Sequence, residues 1–589
     1  MADHPESTRP GLGIPGPAGA ELTAGQHATG SGVTSSGLTS QQHAIGPHQI
    51  CMVCHKRLDR CKGKVRNINE SISRHYKLQI DIDNPKICQI CYKKYIDNRT
   101  VIETPISSQE VHLINAKALS GFNEQQIDDL ANQYLSNMKC TEIRSKELAL
   151  LIYLTKLKKG QTNTQLATQF NIEKANINKC VKAVRESLFN NLVERKFGLK
   201  HTTRDVLVSH TSDFVKTLHC TTPGSVAVMA DGTYIYIEKS SNNEFQRKTF
   251  SVQKGRHLIK PMVLICSDGY IIDIMGVHEA TKNDATIIKE RLEHHKTKNA
   301  FKRIFRHGDV ILVDRGFRDA IDSLENVGFV VKMPTCSTST VLTTQEANET
   351  RLVTACRWKI ECVNGKLKSF KLLDGVRPNS TIKTLKHDCK IAAALLNEYF
   401  TPIENNTETS IEIANKMLDR LNRTNNLVHK VDQLNLDRKS KIFTKLSGED
   451  FPDFPRLTMA DLIDITLGSY QLKMAKSYIT EHLNNKTVFE VCIDEEEPHL
   501  IRLKVQSRHV SRKAYNVYIE YQSRGLGPSA IRGYMCRCKS GLRTVGTCSH
   551  VTAVLWFLGL ARYQGPIKPV GEHHMEIFVP SDIEESDNE

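Results

Sequence analysis

The sequence predicts a multidomain protein organised around a mixed α/β sheet flanked by helices. A small cysteine-rich module lies towards each end, with an all-helical segment before the sheet. Three observations predict this. The chain has 589 residues, ample for several domains at about 100–200 residues each. Between 220 and 400, short β-rich apolar runs alternate with helical ones. Closely spaced cysteines recur at 51–91 and at 536–548.

The net charge is +15 with a pI near 9.0, which favours an acidic partner such as nucleic acid. Between 48 and 200 there are 26 Lys and Arg against 15 Asp and Glu, so eleven of the fifteen net charges lie there. The opening residues are polar, without a basic then apolar stretch, and predict no secretory leader. The apolar run Val551 to Ala561 is shorter than the ~20 residues a membrane span needs, so no membrane partner is expected. In a soluble intracellular chain the 17 cysteines are expected to be metal ligands or buried thiols rather than disulfides.

Taken in order, residues 1–47 are rich in Gly, Ser, Thr, Pro and Ala and predict a disordered tail. Over 48–98, Cys51 and Cys54 pair with Cys88 and Cys91 as two C-x-x-C knuckles. That spacing suits one structural Zn²⁺ in a treble-clef-like finger, folded largely by its metal. Over 120–200 the pattern is helical. Leu148 to Leu157 is followed by a helix beginning near Thr164 and a second from about Lys174 to Phe189. Leu166, Ala167, Phe170, Ile172, Ile177 and Val181 fit a helix-turn-helix core, and an ordinary pair of helices has the same pattern. Lys174, Asn176, Asn178, Lys179 and Lys182 would face outward, amides for base edges and lysines for phosphates.

From 220 to 400, strands are expected at 225–230, 234–237, 261–266, 270–275, 310–313 and 329–333, with helices at 284–294 and 318–326. Asp231 and Asp314 each follow such a strand, and Glu361 lies on a helix four residues after Arg357. Three carboxylates so arranged could hold two Mg²⁺ or Mn²⁺ ions, hard cations that prefer oxygen ligands. Singly, each has an ordinary reading: a turn at Asp231-Gly232 like that at Asp268-Gly269, a strand cap at Asp314, an ion pair for Arg357 and Glu361. A helical region at 405–482, most convincing from Leu462 to Leu483, precedes a β-rich segment at 483–565. Within it Cys536, Cys538, Cys548 and His550 form a second zinc-ligand set before a final apolar helix. Residues 566–589 form an acidic tail.

Arg357, Glu361 and Lys368 resemble the signature around the catalytic Glu of insertion-sequence transposases, with Thr354 where that signature has Tyr. Together with Asp231-Gly-Thr-Tyr234, Phe250 to His257 and Gly308 to Phe317, residues 225–400 resemble the DDE-superfamily endonuclease domain of Harbinger-type transposases. The C-terminal set resembles a SWIM-type zinc finger. The resemblance implies an RNase H-like core, and Asp231, Asp314 and Glu361 as catalytic ligands of Mg²⁺ or Mn²⁺. It further implies that Lys254, Arg256, His257, Lys260, Arg357 and Lys368 lie towards DNA, with Asp284 as a supporting residue or helix cap. The implied function is cleavage at terminal repeats and transfer of 3′-hydroxyl ends to target double-stranded DNA, by a homo-oligomer in the nucleus. The alternative is a domesticated transposase acting as a DNA-binding regulator without nuclease activity.

Overall fold

The computed structural model describes residues 50–58, 64–68, 72–73, 76, 85–94, 115–139, 145–403, 407–438, 443–447, 453–484, 490–494, 497–565 and 567. The tail expected at 1–47, and that at 566–589 apart from residue 567, lie outside them. The chain divides into two units, 1–103 and 104–589. In the first, Arg66–Asn67 pairs antiparallel with Lys86–Ile87. Among its described residues the core consists of Cys51, Leu58, Ile68, Ile72, Ile87, Cys88 and Cys91.

In the second unit, the run Leu148 to Leu157 is apolar apart from Thr155 and Lys156, and so has no polar face. All ten of these residues are buried in α1 (Lys146–Lys159), as expected of a helix without a polar face. The Ser145 hydroxyl caps its start by accepting from Leu148 N, and Gly160 ends it at φ 71°. Helix α2 (Asn163–Phe170) opens on a capping box between Thr162 and Gln165. Asn171, left-handed at φ 49°, turns the chain into α3 (Lys174–Leu188). Leu166, Phe170, Ile177 and Val181 are buried, and Ala167 and Ile172 half-buried.

Along Val226 to Ala230, alternate residues enter two different apolar clusters. Val226, Val228 and Ala230 pack with Met262, Leu264 and Ile288, while Ala227 and Met229 pack with Val263, Ile265 and Leu312. A strand covered on both faces reads as one continuous apolar run. This is β1 (Ala227–Gly232). It pairs antiparallel with β2 (Arg256–Cys266), which pairs antiparallel with β3 (Ile271–Glu279). On its other edge β1 runs parallel to β4 (Val310–Leu312), itself parallel to β5 (Val330–Lys332). The order is therefore β3-β2-β1-β4-β5, the mixed sheet expected, with the short strands Ile235–Tyr236 and Phe250–Ser251 also on β2.

The turn expected at Asp268-Gly269 joins β2 to β3. Gly269 sits at φ 100°, and Asp268 Oδ1 accepts from Tyr270 N at 2.9 Å. Asp231-Gly232 makes no turn; both residues continue β1, opposite Val263 and Met262. Helix α4 (Asp284–Glu293) covers one expected helix. The other, at 318–326, is a 3₁₀ turn (Arg315–Ala320) leading into Ile321–Glu325. An additional helix, His295–Ile304, buries Phe301 and Ile304 under the sheet. Helix α5 (Thr344–Lys368) is a single 25-residue element, and α6 (Leu385–Glu398) follows it.

Beyond 405, Thr407–Leu421 and Asn426–Gln433 are helical, as expected. The stretch Leu462 to Leu483 is two helices, Met459–Thr466 and Tyr470–Asn484, because Leu467 and Gly468 both take positive φ (50° and 151°). A strand within the expected helical region, β6 (Phe443–Ser447), begins an antiparallel meander with β7 (Glu490–Asp494), β8 (Leu500–Gln506), β9 (Ala514–Tyr521) and β10 (Ile531–Cys536). Helix α7 (Ser549–Gly559) is an apolar, almost wholly buried run, followed by a 3₁₀ turn at Ala561–Tyr563. Among the described residues no helix is long and apolar enough to cross a membrane.

Candidate active site and metal centres

Parallel pairing of β1 with β4 sets Met229 beside Leu312. Two residues further along each chain come Asp231 and Asp314, so the register brings both carboxylates to one edge of the sheet. Asp284, the first residue of α4, joins them. Ligand oxygens of Asp231, Asp284 and Asp314 lie within 4.8 Å of one another. Gly232 makes the approach possible, since a Cβ there would fall 2.5 Å from Asp284 Oδ1.

The three acids are held differently. Asp231 Oδ2 accepts from Asn364 Nδ2 at 3.0 Å, and its Oδ1 lies 3.7 Å from the Arg357 guanidinium. Burial pushes Asp231 up to about 7; Arg357 opposes this, while Glu361, Asp314 and Asp284 add to it. Asp314 Oδ1 accepts from Gly316 N at 2.8 Å, capping the 3₁₀ turn. Asp284 Oδ1 is buried without a hydrogen-bond partner, 4.0 Å from Lys260 Nζ. Burial raises its carboxyl too, with Lys260 opposing. The helix cap is the preceding Asn283, whose side chain accepts from Thr286 N at 2.7 Å, so Asp284 is not the cap.

Glu361 stands outside this close set, exposed on α5, although its charge is felt at Asp231. The sequence placed Glu361 third; the geometry brings Asp284 to Asp231 and Asp314 instead, because β1 and β3 both run antiparallel to β2 and so end at the same edge of the sheet, where α4 begins. Lys254 and Arg256 are exposed, over the rings of Tyr234 at 5.1 Å and Tyr236 at 5.4 Å. Lys260 does not line an outer face. It is buried, donates to Lys282 O at 2.7 Å and offsets Asp284. His257 is half-buried, 3.3 Å from the Thr249 hydroxyl. Lys368 lies half-buried two turns beyond Glu361.

Sequence reasoning missed Asn364 and Tyr234. Asn364 falls seven residues after Arg357, on the same helical face, a spacing that could have found it. Burial, with the nearby carboxylates adding, pushes the Tyr234 hydroxyl up to about 12. Three hard oxygen donors, one with an unpartnered buried oxygen and one pushed up to about 7, carry more negative charge than Arg357 and Lys260 offset. That donor set fits Mg²⁺ or Mn²⁺.

The cysteine sets also assemble. Ligand atoms of Cys51, Cys54, Cys88 and Cys91 lie within 4.8 Å, as do those of Cys536, Cys538, Cys548 and His550. Cys88 N donates to Cys51 Sγ at 3.3 Å. At the second cluster His550 Nδ1 faces Cys536 Sγ at 3.7 Å and Cys548 Sγ at 3.9 Å, and Cys548 caps α7 through Val551 N. Thiol and imidazole donors fit Zn²⁺ at both clusters. No disulfide links the described cysteines. On α3, Lys174, Asn176, Asn178, Lys179 and Lys182 are all exposed. Asn178 accepts from Asn163 Nδ2, and Lys182 lies 3.9 Å from Glu186.

Residues 230–397 match the family model of the DDE superfamily endonuclease. The mixed sheet flanked by helices fits an RNase H-like core of that superfamily. No curated protein matches the chain. One solved structure, the Mos1 transposase paired-end complex with left transposon end, is similar at 12% identity over 56% of this chain and 93% of that chain. Its TM-score is 0.17, too low to bear on the fold.

Proposed function

We propose that this protein is a metal-dependent DNA endonuclease and strand transferase of the transposase type. The observation that carries the proposal is the convergence of Asp231, Asp284 and Asp314 within 4.8 Å at the sheet edge, with Glu361 and Arg357 on the adjoining α5. Asp231, Asp284 and Asp314 would hold Mg²⁺ or Mn²⁺, and Glu361 would complete the shell. When bound, such ions activate a water or 3′-hydroxyl and stabilise the leaving oxygen.

The chain's own groups do the rest. Asn364 and Arg357 fix the Asp231 carboxylate. Lys260, on the buried side, favours the charged form of Asp284 against the burial that raises its carboxyl. Lys254 and Arg256, exposed beside the site, would meet phosphates, with Lys368 further along α5. Helices α2 and α3 are read as a helix-turn-helix that recognises terminal repeats through Asn176 and Asn178, with Lys174, Lys179 and Lys182 on the backbone. The zinc clusters would be structural, the second in a SWIM-type finger. Nuclear location and assembly as a homo-oligomer on DNA belong to the same proposal.

The test is cleavage of DNA bearing selected binding sequences in Mg²⁺ or Mn²⁺. The purified protein should nick it, and Asp231→Asn and Asp314→Ala should not. Nicking retained by both variants would remove the carboxylate assignment. Specific binding with no nicking by the unaltered protein would assign the chain to the DNA-binding regulator instead.

A further inference from the structure

Helix α5 carries Arg357, Glu361 and Asn364, and its N-terminal half is gripped by the loop between Cys538 and Cys548. Asn348, 0% exposed, uses its whole amide, making three hydrogen bonds to that loop and one to Leu421. Its Oδ1 accepts from Thr544 N at 2.8 Å and Val545 N at 3.0 Å. Its Nδ2 donates to the Thr544 hydroxyl and to Leu421 O, each at 2.8 Å. Just before and at the helix start, Leu342 N donates to Lys539 O at 2.8 Å and the Thr344 hydroxyl donates to Leu542 O at 3.1 Å.

The loop's shape depends in turn on its ends. Gly541 folds so closely onto β10 that a Cβ would sit 2.1 Å from Cys536 O. Arg543 is buried, donating to Thr547 O, with Cys548 and Cys538 nearby as its favourable charges. Zinc held by three thiolates and a neutral imidazole leaves one net negative charge, which suits a buried guanidinium beside it.

We infer that the C-terminal zinc module is an integral brace of the nuclease centre: through Asn348 it positions α5, so occupancy of the Cys536–His550 site sets the order of the helix bearing Arg357 and Glu361. Asn348 is a positioning residue and touches no reacting atom. The inference rests on the proposed function for its catalytic consequence, but its structural part stands alone.

The experiment is amide hydrogen exchange on the full chain, with zinc content, DNA affinity and cleavage kinetics read beside it. His550→Ala should lose the C-terminal ion and raise exchange across 344–356 by about tenfold or more. Asn348→Ala should raise exchange there similarly with both zinc sites filled, and lower kcat about tenfold with KM unmoved. Thr544→Val, a milder change, should show a smaller rise in the same segment. Unchanged exchange over 344–368 in His550→Ala would overturn the inference, as would a loss confined to KM in Asn348→Ala. A chain that cleaves no DNA at all would end the nuclease reading and leave the exchange result standing.

Discussion

Arg185 Nε donates to Asp388 Oδ1 at 2.7 Å, joining α3 to α6 across 203 residues of sequence. Asp388 is 0% exposed and also accepts from the Tyr153 hydroxyl at 2.9 Å, the Thr384 hydroxyl at 3.2 Å and the Arg377 guanidinium. Arg377 is itself stitched to the sheet. Its N–H donates to Tyr236 O at 2.9 Å, and its carbonyl accepts from Glu238 N at 3.0 Å. One carboxylate therefore ties the inner side of α3 to the domain that holds the carboxylate site.

Breaking this pair should cost more than forming it contributes. Burial alone would raise the Asp388 carboxyl, but Arg185 and Arg377 hold it below the ordinary value. Asp388→Asn leaves both guanidiniums uncompensated and should destabilise by about 3–5 kcal/mol in urea denaturation at pH 7. Tyr153→Phe removes one neutral donor and should cost only about 1 kcal/mol. Equal losses would mean the charge is not what holds the network.

The carboxylate site should be strained without a cation. Asp284 has a buried oxygen lacking a hydrogen-bond partner, and Asp314 raises its carboxyl further. Asp284→Asn should therefore raise the Tm of the protein in chelator, by the equivalent of about 0.5–1 kcal/mol. In the unaltered protein Mn²⁺ should raise Tm with concentration, as a ligand of the folded state must, and in Asp284→Asn it should do so far less. Identical Mn²⁺ titrations by thermal melting would exclude Asp284 as a ligand.

How much of this was legible varies with how local the cause is. Asp231 and Asp314 were readable because each closes an apolar run, and the register then joins them. Asp284 entered only through the family resemblance, as a supporting residue or cap, because its close approach depends on Gly232 lacking a Cβ across the sheet. The cysteine sets were readable from spacing alone. Asn348 left no trace, since its four partners come from 421 and from 544–545, far along the chain. Leu462 to Leu483 has a helical pattern throughout, yet the break at Leu467-Gly468 follows from two positive φ values that periodicity does not report.

If α3 enters a groove of DNA, its lysines and amides should separate in their effects. Lys174→Ala and Lys179→Ala should weaken binding to all sequences alike, each reducing the slope of log affinity against log salt by about 1. Asn176→Ala should leave the slope alone and cost about 1–3 kcal/mol on the preferred sequence only. Fluorescence anisotropy across salt concentrations measures both. Loss of slope on Asn176→Ala, or none on the lysine variants, would turn α3 away from the DNA.

His219 gives the fold a defined acid limit. It ends the helix Asp213–His219, buried with its Nε2 3.3 Å from Leu352 O on α5. Burial, together with Lys332, lowers its pKa to about 4 from an ordinary 6.5, against the opposing pull of that carbonyl. The unfolded chain binds this proton first, so the stability is present in full above pH 6.5 and is lost as pH falls towards 4. Between pH 7 and 5 the loss from this residue should be about 2 kcal/mol. His219→Gln cannot take up the proton. Urea denaturation at pH 7 and 5 should therefore show the unaltered protein losing about 2 kcal/mol more than the variant. Parallel losses would mean that His219 is protonated as readily folded as unfolded, and that α5 is not packed over it as described.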